Sequence, residues 1–169
     1  PEITRPQRFI LVDPTLAQIR EWVSETLASP PALMGCDTET RGGTVTMISF
    51  ARAPDQALVI PFAHHGAPRG GSYNYWPEAW QEEEARELAN ELLRSSIPKV
   101  WQNGMYDFQY LLRERFELGA CFEDTMLLHH SILPEMRKGL GYLGAAYTRE
   151  PAWKLMRLMR ADTGERDAG

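Results

Sequence analysis

A short apolar run, Ala32 to Cys36, passes without a break into Asp37-Thr38-Glu39-Thr40. If Ala32 to Thr38 is a strand, it places both carboxylates at its C-terminal end. Asp37 and Glu39 are two residues apart, so they point to the same side of that strand. Two carboxylates held so close repel each other unless a cation sits between them. Hard oxygen donors favour Mg²⁺ or Mn²⁺. The plainer reading of the same four residues is an acidic turn after a strand.

The rest of the chain alternates short apolar runs with amphipathic segments. Phe9 to Val12 reads as a strand, and Thr15 to Ala28 as a helix with Leu16, Ile19, Val23 and Leu27 on one face. Pro30 and Pro31 end it. Arg41, Gly42 and Gly43 read as a turn. Val45 to Ala51 and Ala57 to Phe62 read as a hairpin about Pro54 and Asp55. His64 to Pro77 has loop composition. A helix follows with Ala85, Leu88, Ala89, Leu92 and Leu93 on one side and five glutamates between Glu82 and Glu91 on the other. Further strands are expected at Lys99 to Gln102 and at Cys121 and Phe122. Further helices are expected from Asn103 to about Arg115, from Thr125 to Leu133, where Pro134 stops it, and from Leu140 to Tyr147. This alternation predicts an α/β domain with a mixed central sheet flanked by helices.

With 169 residues, 43% hydrophobic and 24% charged, the chain can build a full core as a single domain, 1–169. No apolar run approaches the roughly 18 residues of a membrane span, so no membrane partner is expected. No signal peptide is evident. The net charge of −5 argues against coating nucleic acid by bulk positive charge. It is compatible with an enzyme whose bound divalent ions offset a cluster of acids. Cys36 and Cys121 are far apart and in no zinc spacing, which suits a reducing compartment, and a cytoplasmic location is expected. Residue 1 is Pro and the last residues, from Ala161, are polar and charged, so a piece of a longer protein is expected.

A second stretch, Trp101-Gln102-Asn103-Gly104-Met105-Tyr106-Asp107, places Asn103 at the start of a helix and Asp107 one turn later. Taken separately, these residues read as a capping Asn and a solvated Asp. Taken with Asp37 to Thr40, they form an ordered set. This set resembles the 3′–5′ proofreading exonuclease domain of family A DNA polymerases, a DnaQ-like domain of RNase H-like fold. The motifs are Asp-Thr-Glu-Thr, here Asp37 to Thr40, and Gln-Asn-x-x-Tyr-Asp, here Gln102, Asn103, Tyr106 and Asp107. The likeness keeps its order through Ile48-Ser49-Phe50-Ala51, Ile60-Pro61, Glu123 to Leu127, and Leu140-x-x-Leu143, and covers roughly residues 8 to 155.

The resemblance implies two-metal hydrolysis of a single-stranded DNA 3′ end, with ions about 4 Å apart on the scissile phosphate. It assigns Asp37, Glu39 and Asp107 as catalytic and metal-binding carboxylates for Mg²⁺ or Mn²⁺. Asp37 bridges both ions, Glu39 binds the first and Asp107 the second. It places Thr38, Gln102, Asn103 and Tyr106 at the substrate. It also implies a polymerase domain C-terminal to this one in the full-length protein. The family's further motif, Tyr-x-x-x-Asp, has no counterpart: no tyrosine is followed four residues on by Asp. Relatives carry it beyond the stretch that Thr148 to Lys154 resembles, so truncation and weak or absent activity of this chain are expected, with turnover restored by the native continuation. His130 and Glu135 imitate the spacing of the other branch's His-x-x-x-x-Asp, but Pro134 interrupts them.

Other residues have plainer readings. Asp124 is expected to cap the helix that follows it rather than to bind metal. His64 and His65 read as surface loop, and His129 and His130 as helical with one partly buried. The aromatic loop of Tyr73, Tyr75, Trp76 and Trp80 suits base stacking or core packing equally. Arg41 and Arg69 read as solvated. Leu155 to Met159 suggests a terminal helix. Two rival functions share parts of this evidence: an RNase D-like exoribonuclease, and a non-catalytic single-strand-binding module of a polymerase.

Overall fold

The computed structural model describes residues 7–64, 74–119 and 122–148. The expectations for His65, Arg69, Tyr73, Cys121 and Leu155 to Met159 lie outside the described residues. The chain divides into two compact units, one ending at Asp124 and one beginning at Thr125.

In the first unit, β1 (Phe9–Leu11) leads to α1 (Leu16–Ala28), then β2 (Met34–Arg41), β3 (Thr44–Ala53) and β4 (Gln56–Pro61). Then come α2 (Ala79–Arg94), β5 (Lys99–Trp101), α3 (Gly104–Arg113) and β6 (Phe122–Asp124). The sheet runs in the order β1-β4-β3-β2-β5-β6. Only β3 is antiparallel to its neighbours; the β1–β4, β2–β5 and β5–β6 pairs are parallel. This is the mixed α/β sheet that the sequence pattern predicts.

Local chemistry sets the element ends. Thr15 caps α1 through a capping box: its side chain accepts from the Gln18 amide, and the Gln18 side chain accepts from the Thr15 amide at 2.8 Å. The turn between β2 and β3 is made by Gly42 and Gly43, both at positive φ (60° and 88°). This backbone suits a two-residue hairpin, and glycine adopts it without steric cost. It lets β2 continue to Arg41, pairing Arg41 with Thr44. Asp37 and Glu39 therefore lie inside the strand, not in a turn after it.

The core joins Ile19 and Val23 of α1 and Ala85, Ala89, Leu92 and Leu93 of α2 to Met34, Ile48, Phe50, Leu58 and Ile60 of the sheet. Each large side chain so buried contributes about 1.5–3 kcal/mol. Trp76 belongs to this core, its indole N–H donating to the Pro61 carbonyl at 2.8 Å. Tyr75 packs against the cluster, while Trp80 is exposed. The aromatic loop is thus divided between packing and surface. An ion pair between Arg20 and Glu84 ties α1 to α2.

The second unit holds α4 (Thr125–Ile132), which stops before Pro134, and α5 (Leu140–Tyr147). His129 of α4 is buried, with Nδ1 2.8 Å from the Tyr147 hydroxyl, as the expectation of one partly buried histidine there requires. His130 and Glu135 are both exposed. Among the described residues, no helix is long and apolar enough to cross a membrane.

Candidate active site

The site is built where β2 leaves its parallel neighbour. β5 pairs with β2 only at Met34 and Gly35. Past that point β2 keeps β3 on one edge, and the start of α3 comes to the other. Strand C-termini beside a change of strand order are where open α/β sheets take ligands.

Along β2 burial alternates. Cys36 and Thr38 face the core, while Asp37 and Glu39 are exposed on the other face. The two carboxylates thus share one open face, as their spacing predicts. Thr38 between them turns inward, and both its polar groups meet one partner. Asp107 Oδ1 accepts from the Thr38 amide at 3.2 Å and from the Thr38 hydroxyl at 2.5 Å. Asp107 takes the place that a further strand residue would fill at this edge. The Thr38 side chain lies on the buried side of β2 and holds Asp107.

Asp107 is itself buried, 4% exposed. Burial pushes its carboxyl above the ordinary range, the nearby charge of Asp124 adds to that, and the two Thr38 donors oppose it. A carboxylate in that setting gains from a cation. Among the described residues, no three His, Cys, Asp or Glu side chains are gathered tightly enough to hold one ion. The physical reason is visible in β2: its alternation sends Asp37 and Glu39 to one face, and Thr38 draws Asp107 to the edge. The donor chemistry still fits Mg²⁺ or Mn²⁺. Asp37 and Glu39 offer hard oxygens on an open face, and Asp107 stands beside the residue that separates them.

The second motif opens α3. Asn103 occupies the N-cap position but in left-handed conformation, φ 63° and ψ 42°, and its side chain makes no capping bond. The cap comes from Asp124 of β6, which accepts from the Asn103 amide at 3.2 Å and the Gly104 amide at 2.7 Å. One expectation is corrected here: the Asn103 side chain is exposed and makes no capping bond. Asp124 has a structural role across the sheet, accepting from the amides at the start of α3. A carboxylate on exposed amides at a helix start is favoured by the helix dipole. Gly104 is required at this junction, since a Cβ there would lie 2.8 Å from Trp101 Cβ and 3.1 Å from Trp101 Cγ.

Tyr106 is 45% exposed, and its hydroxyl lies 2.9 Å from the Thr40 hydroxyl, at the end of β2 beside Glu39. Gln102 is half-buried between β5 and α3. The structure therefore brings Asp37, Glu39, Thr38, Asp107 and Tyr106 to one stretch of β2, with Gln102 and Asn103 in the turn leading to α3. Asp124 joins them as a structural residue whose partner sequence reasoning missed.

This arrangement of strands and helices is an α/β domain of RNase H-like fold. The catalytic core of RRP6 from Trypanosoma brucei superposes with a TM-score of 0.60 at 14% identity, over 87% of this chain and 36% of that one. Escherichia coli RNase D, an exoribonuclease involved in structured RNA processing, gives 0.51 at 21% identity, over 84% and 33%. Brucella melitensis NrnC gives 0.53 at 16% identity both with bound Mg²⁺, over 85% and 62%, and bound to pGG, over 89% and 67%. At these identities the likeness is one of fold. No family model matches the sequence. In sequence the chain is 26% identical over 153 residues to DNA polymerase I of Synechocystis sp., covering 87% of this chain and 14% of that protein. The resemblance to a DNA polymerase I exonuclease domain, drawn above from the motifs, is thereby borne out.

Proposed function

We propose that this chain is a metal-dependent 3′–5′ exonuclease domain that removes nucleotides from single-stranded DNA 3′ ends, as in proofreading by a DNA polymerase. The observation that carries the reading is the acid pair on the open face of β2, with Asp107 held at Thr38 between them. Asp37 and Glu39 would hold Mg²⁺ or Mn²⁺, with Asp107 completing the set. Bound there, such ions lower the pKa of a water and neutralise the charge of a phosphodiester. The chain's own groups do the positioning. Thr38 fixes the Asp107 carboxylate through two donors, and Thr40 fixes the Tyr106 ring at the mouth of the site. Gln102 and Asn103, in the turn before α3, suit contacts to the terminal nucleotide.

The 14% share of DNA polymerase I supports reading the chain as one domain of a longer protein that includes a polymerase domain. A cytoplasmic location follows from that reading. RNA as substrate is the second reading, favoured by the fold shared with RNase D.

The test is a 5′-labelled single strand, DNA or RNA, incubated with Mg²⁺ or Mn²⁺ and either this chain, its Asp37→Ala variant, or the longer gene product. A shortening ladder that Asp37→Ala abolishes supports the reading, and the better substrate chooses between DNA and RNA. No ladder from either length of protein, with either ion, overturns it and leaves the non-catalytic module.

A further inference from the structure

Beyond Tyr106, α3 carries a stripe that the two motifs do not account for. Tyr106, Tyr110 and Arg113 follow at i, i+4 and i+7, which puts them on one helix face over about 10 Å. The Tyr106 and Tyr110 rings are 5.0 Å apart and tilted by 54°. The Arg113 guanidinium lies over the Tyr110 ring, 5.0 Å from its centroid. One of its nitrogens sits 3.6 Å from where a Cβ on Gly43 would be, so the glycine turn leaves it room. The stripe begins beside Glu39, at the Tyr106–Thr40 contact, and ends at the β2–β3 turn. Arg113 is exposed.

We propose that Tyr110 and Arg113 form a second nucleotide subsite for single-stranded nucleic acid, two or more nucleotides upstream of the 3′ end held at the acid pair and so beyond the reach of a dinucleotide. The inference rests on the exonuclease reading and extends it. Tyr110 is half-buried against the core and backs the inner face of the guanidinium, whose exposed outer plane can stack on any base, so such a subsite adds grip without sequence preference. A guanidinium already stacked on a ring is preorganised, and its outward N–H groups match a phosphate. Spacing agrees with this: successive aromatic positions one helical turn apart are separated by about 6 Å, close to the stacking reach of neighbouring unstacked nucleotides. In a chain of net charge −5, a fixed cation beside the acids gives the phosphate backbone a local path.

The plainer role, a stack that only ties α3 to the turn, makes a different prediction. It affects stability and is blind to the length of an oligonucleotide. The experiment is fluorescence anisotropy in EDTA, with 5′-fluorescein-labelled thymidine dinucleotide and octanucleotide as probes, for the wild type, Arg113→Ala and Arg113→Lys. The subsite predicts that Arg113→Ala weakens the octanucleotide about 5- to 10-fold and leaves the dinucleotide and the urea midpoint unchanged. It also predicts that the salt slope falls by about 0.7, the value for one phosphate on a single strand, and that Arg113→Lys recovers that slope. Equal losses for both probes, or no change in either, overturn the subsite. Failure of the wild type to bind the octanucleotide overturns it as well. The hydrolysis assay above separates the two readings. A ladder without the length-dependent loss removes the subsite and keeps the exonuclease, whereas the loss without a ladder keeps the subsite and removes the exonuclease.

Discussion

Asp107 Oδ1 accepts two hydrogen bonds from one residue, the Thr38 amide at 3.2 Å and the Thr38 hydroxyl at 2.5 Å. Thr38 is the residue between the two exposed acids of β2. One backbone position therefore links a carboxylate of α3 to the pair on the strand. The link crosses 69 positions of sequence, and it stands at the edge of β2 that β5 leaves uncovered beyond Gly35. An ordinary sheet would continue its ladder there; this one substitutes a buried carboxylate.

That substitution costs stability, and the cost depends on pH. The folded-state pKa of Asp107 is raised, mainly by burial. Such a group stabilises the fold below its unfolded pKa, and the contribution is lost as pH rises through the folded-state value. Asp107→Asn keeps an oxygen for both Thr38 donors and removes the charge. Without added metal it is expected to melt about 2–4 °C higher than the wild type at pH 7, the shift that roughly 1 kcal/mol gives in a domain of this size. The gap closes once Asp107 is protonated in both states, near or below the ordinary carboxylate range of about pH 4. Hydrolysis is expected to be lost in the same variant. Scanning calorimetry at pH 3.5, 5 and 7 checks the sign, and a wild type at least as stable as the variant at pH 7 refutes it.

Asp37→Ala separates function from folding in the opposite way. Asp37 is exposed on β2, so its removal should change stability by no more than about 0.5 kcal/mol. Divalent-ion binding should weaken at least tenfold if the acid pair is the metal platform. Titration calorimetry with Mn²⁺ on both proteins reads this directly. Unchanged Mn²⁺ affinity would remove Asp37 from the ligand set.

Much of this was legible in the sequence, for local reasons. Apolar runs and turn residues mark β2, the glycine turn and the β3–β4 hairpin, and the spacing of Asp37 and Glu39 is enough to put them on one face. The same alternation sends the Thr38 side chain inward, where it meets Asp107. What could not be read is the long-range pairing. Nothing near Asp124 announces that its partners are the amides of Asn103 and Gly104. Asn103 illustrates the limit of a capping rule: the rule assumes an extended N-cap backbone, whereas Asn103 is left-handed and gives up its role to an acid from another strand. The signal available was the Asn-Gly pair itself, since Asn is among the few residues that tolerate that conformation.

Asp124 therefore has a testable structural role. Asp124→Ala leaves two amides at the start of α3 without their acceptor and should cost about 1–2 kcal/mol, the range for a lost N-cap. Asp124→Asn retains one acceptor oxygen and should cost less. Urea unfolding of both variants, together with Mn²⁺ titration, distinguishes a cap from a ligand: a cap moves the midpoint and leaves metal affinity alone.

Gly104 should be less forgiving. Its absent side chain lets α3 begin directly against Trp101, where a Cβ would stand 2.8 Å from one side-chain carbon and 3.1 Å from another. Gly104 also donates its amide to Asp124 at 2.7 Å, so it cannot move away without breaking the cap. Gly104→Ala is expected to destabilise by about 2–3 kcal/mol, as overpacking at a rigid junction does. A midpoint within experimental error of the wild type would show that the junction yields.

Cys36 reports on the same region from the core side. It lies on the buried face of β2 next to Asp37, and burial pushes its thiol up to about 12. The reactive species is the thiolate, so a thiol with that pKa is nearly all protonated at pH 8. In a Cys121→Ser background, Cys36 is the remaining thiol. Ellman's reagent at pH 8 should then react only as fast as the fold opens, and at once when urea is added. The sign of the pH effect follows: the folded chain holds this proton more tightly than the unfolded one. Stability from Cys36 is therefore complete below the unfolded thiol pKa, near 8.5, and is lost as pH rises toward 12. Rapid labelling of the native protein at pH 8 would mean that β2 opens locally at the position next to the acid pair, and that the strand is not the rigid platform the site requires.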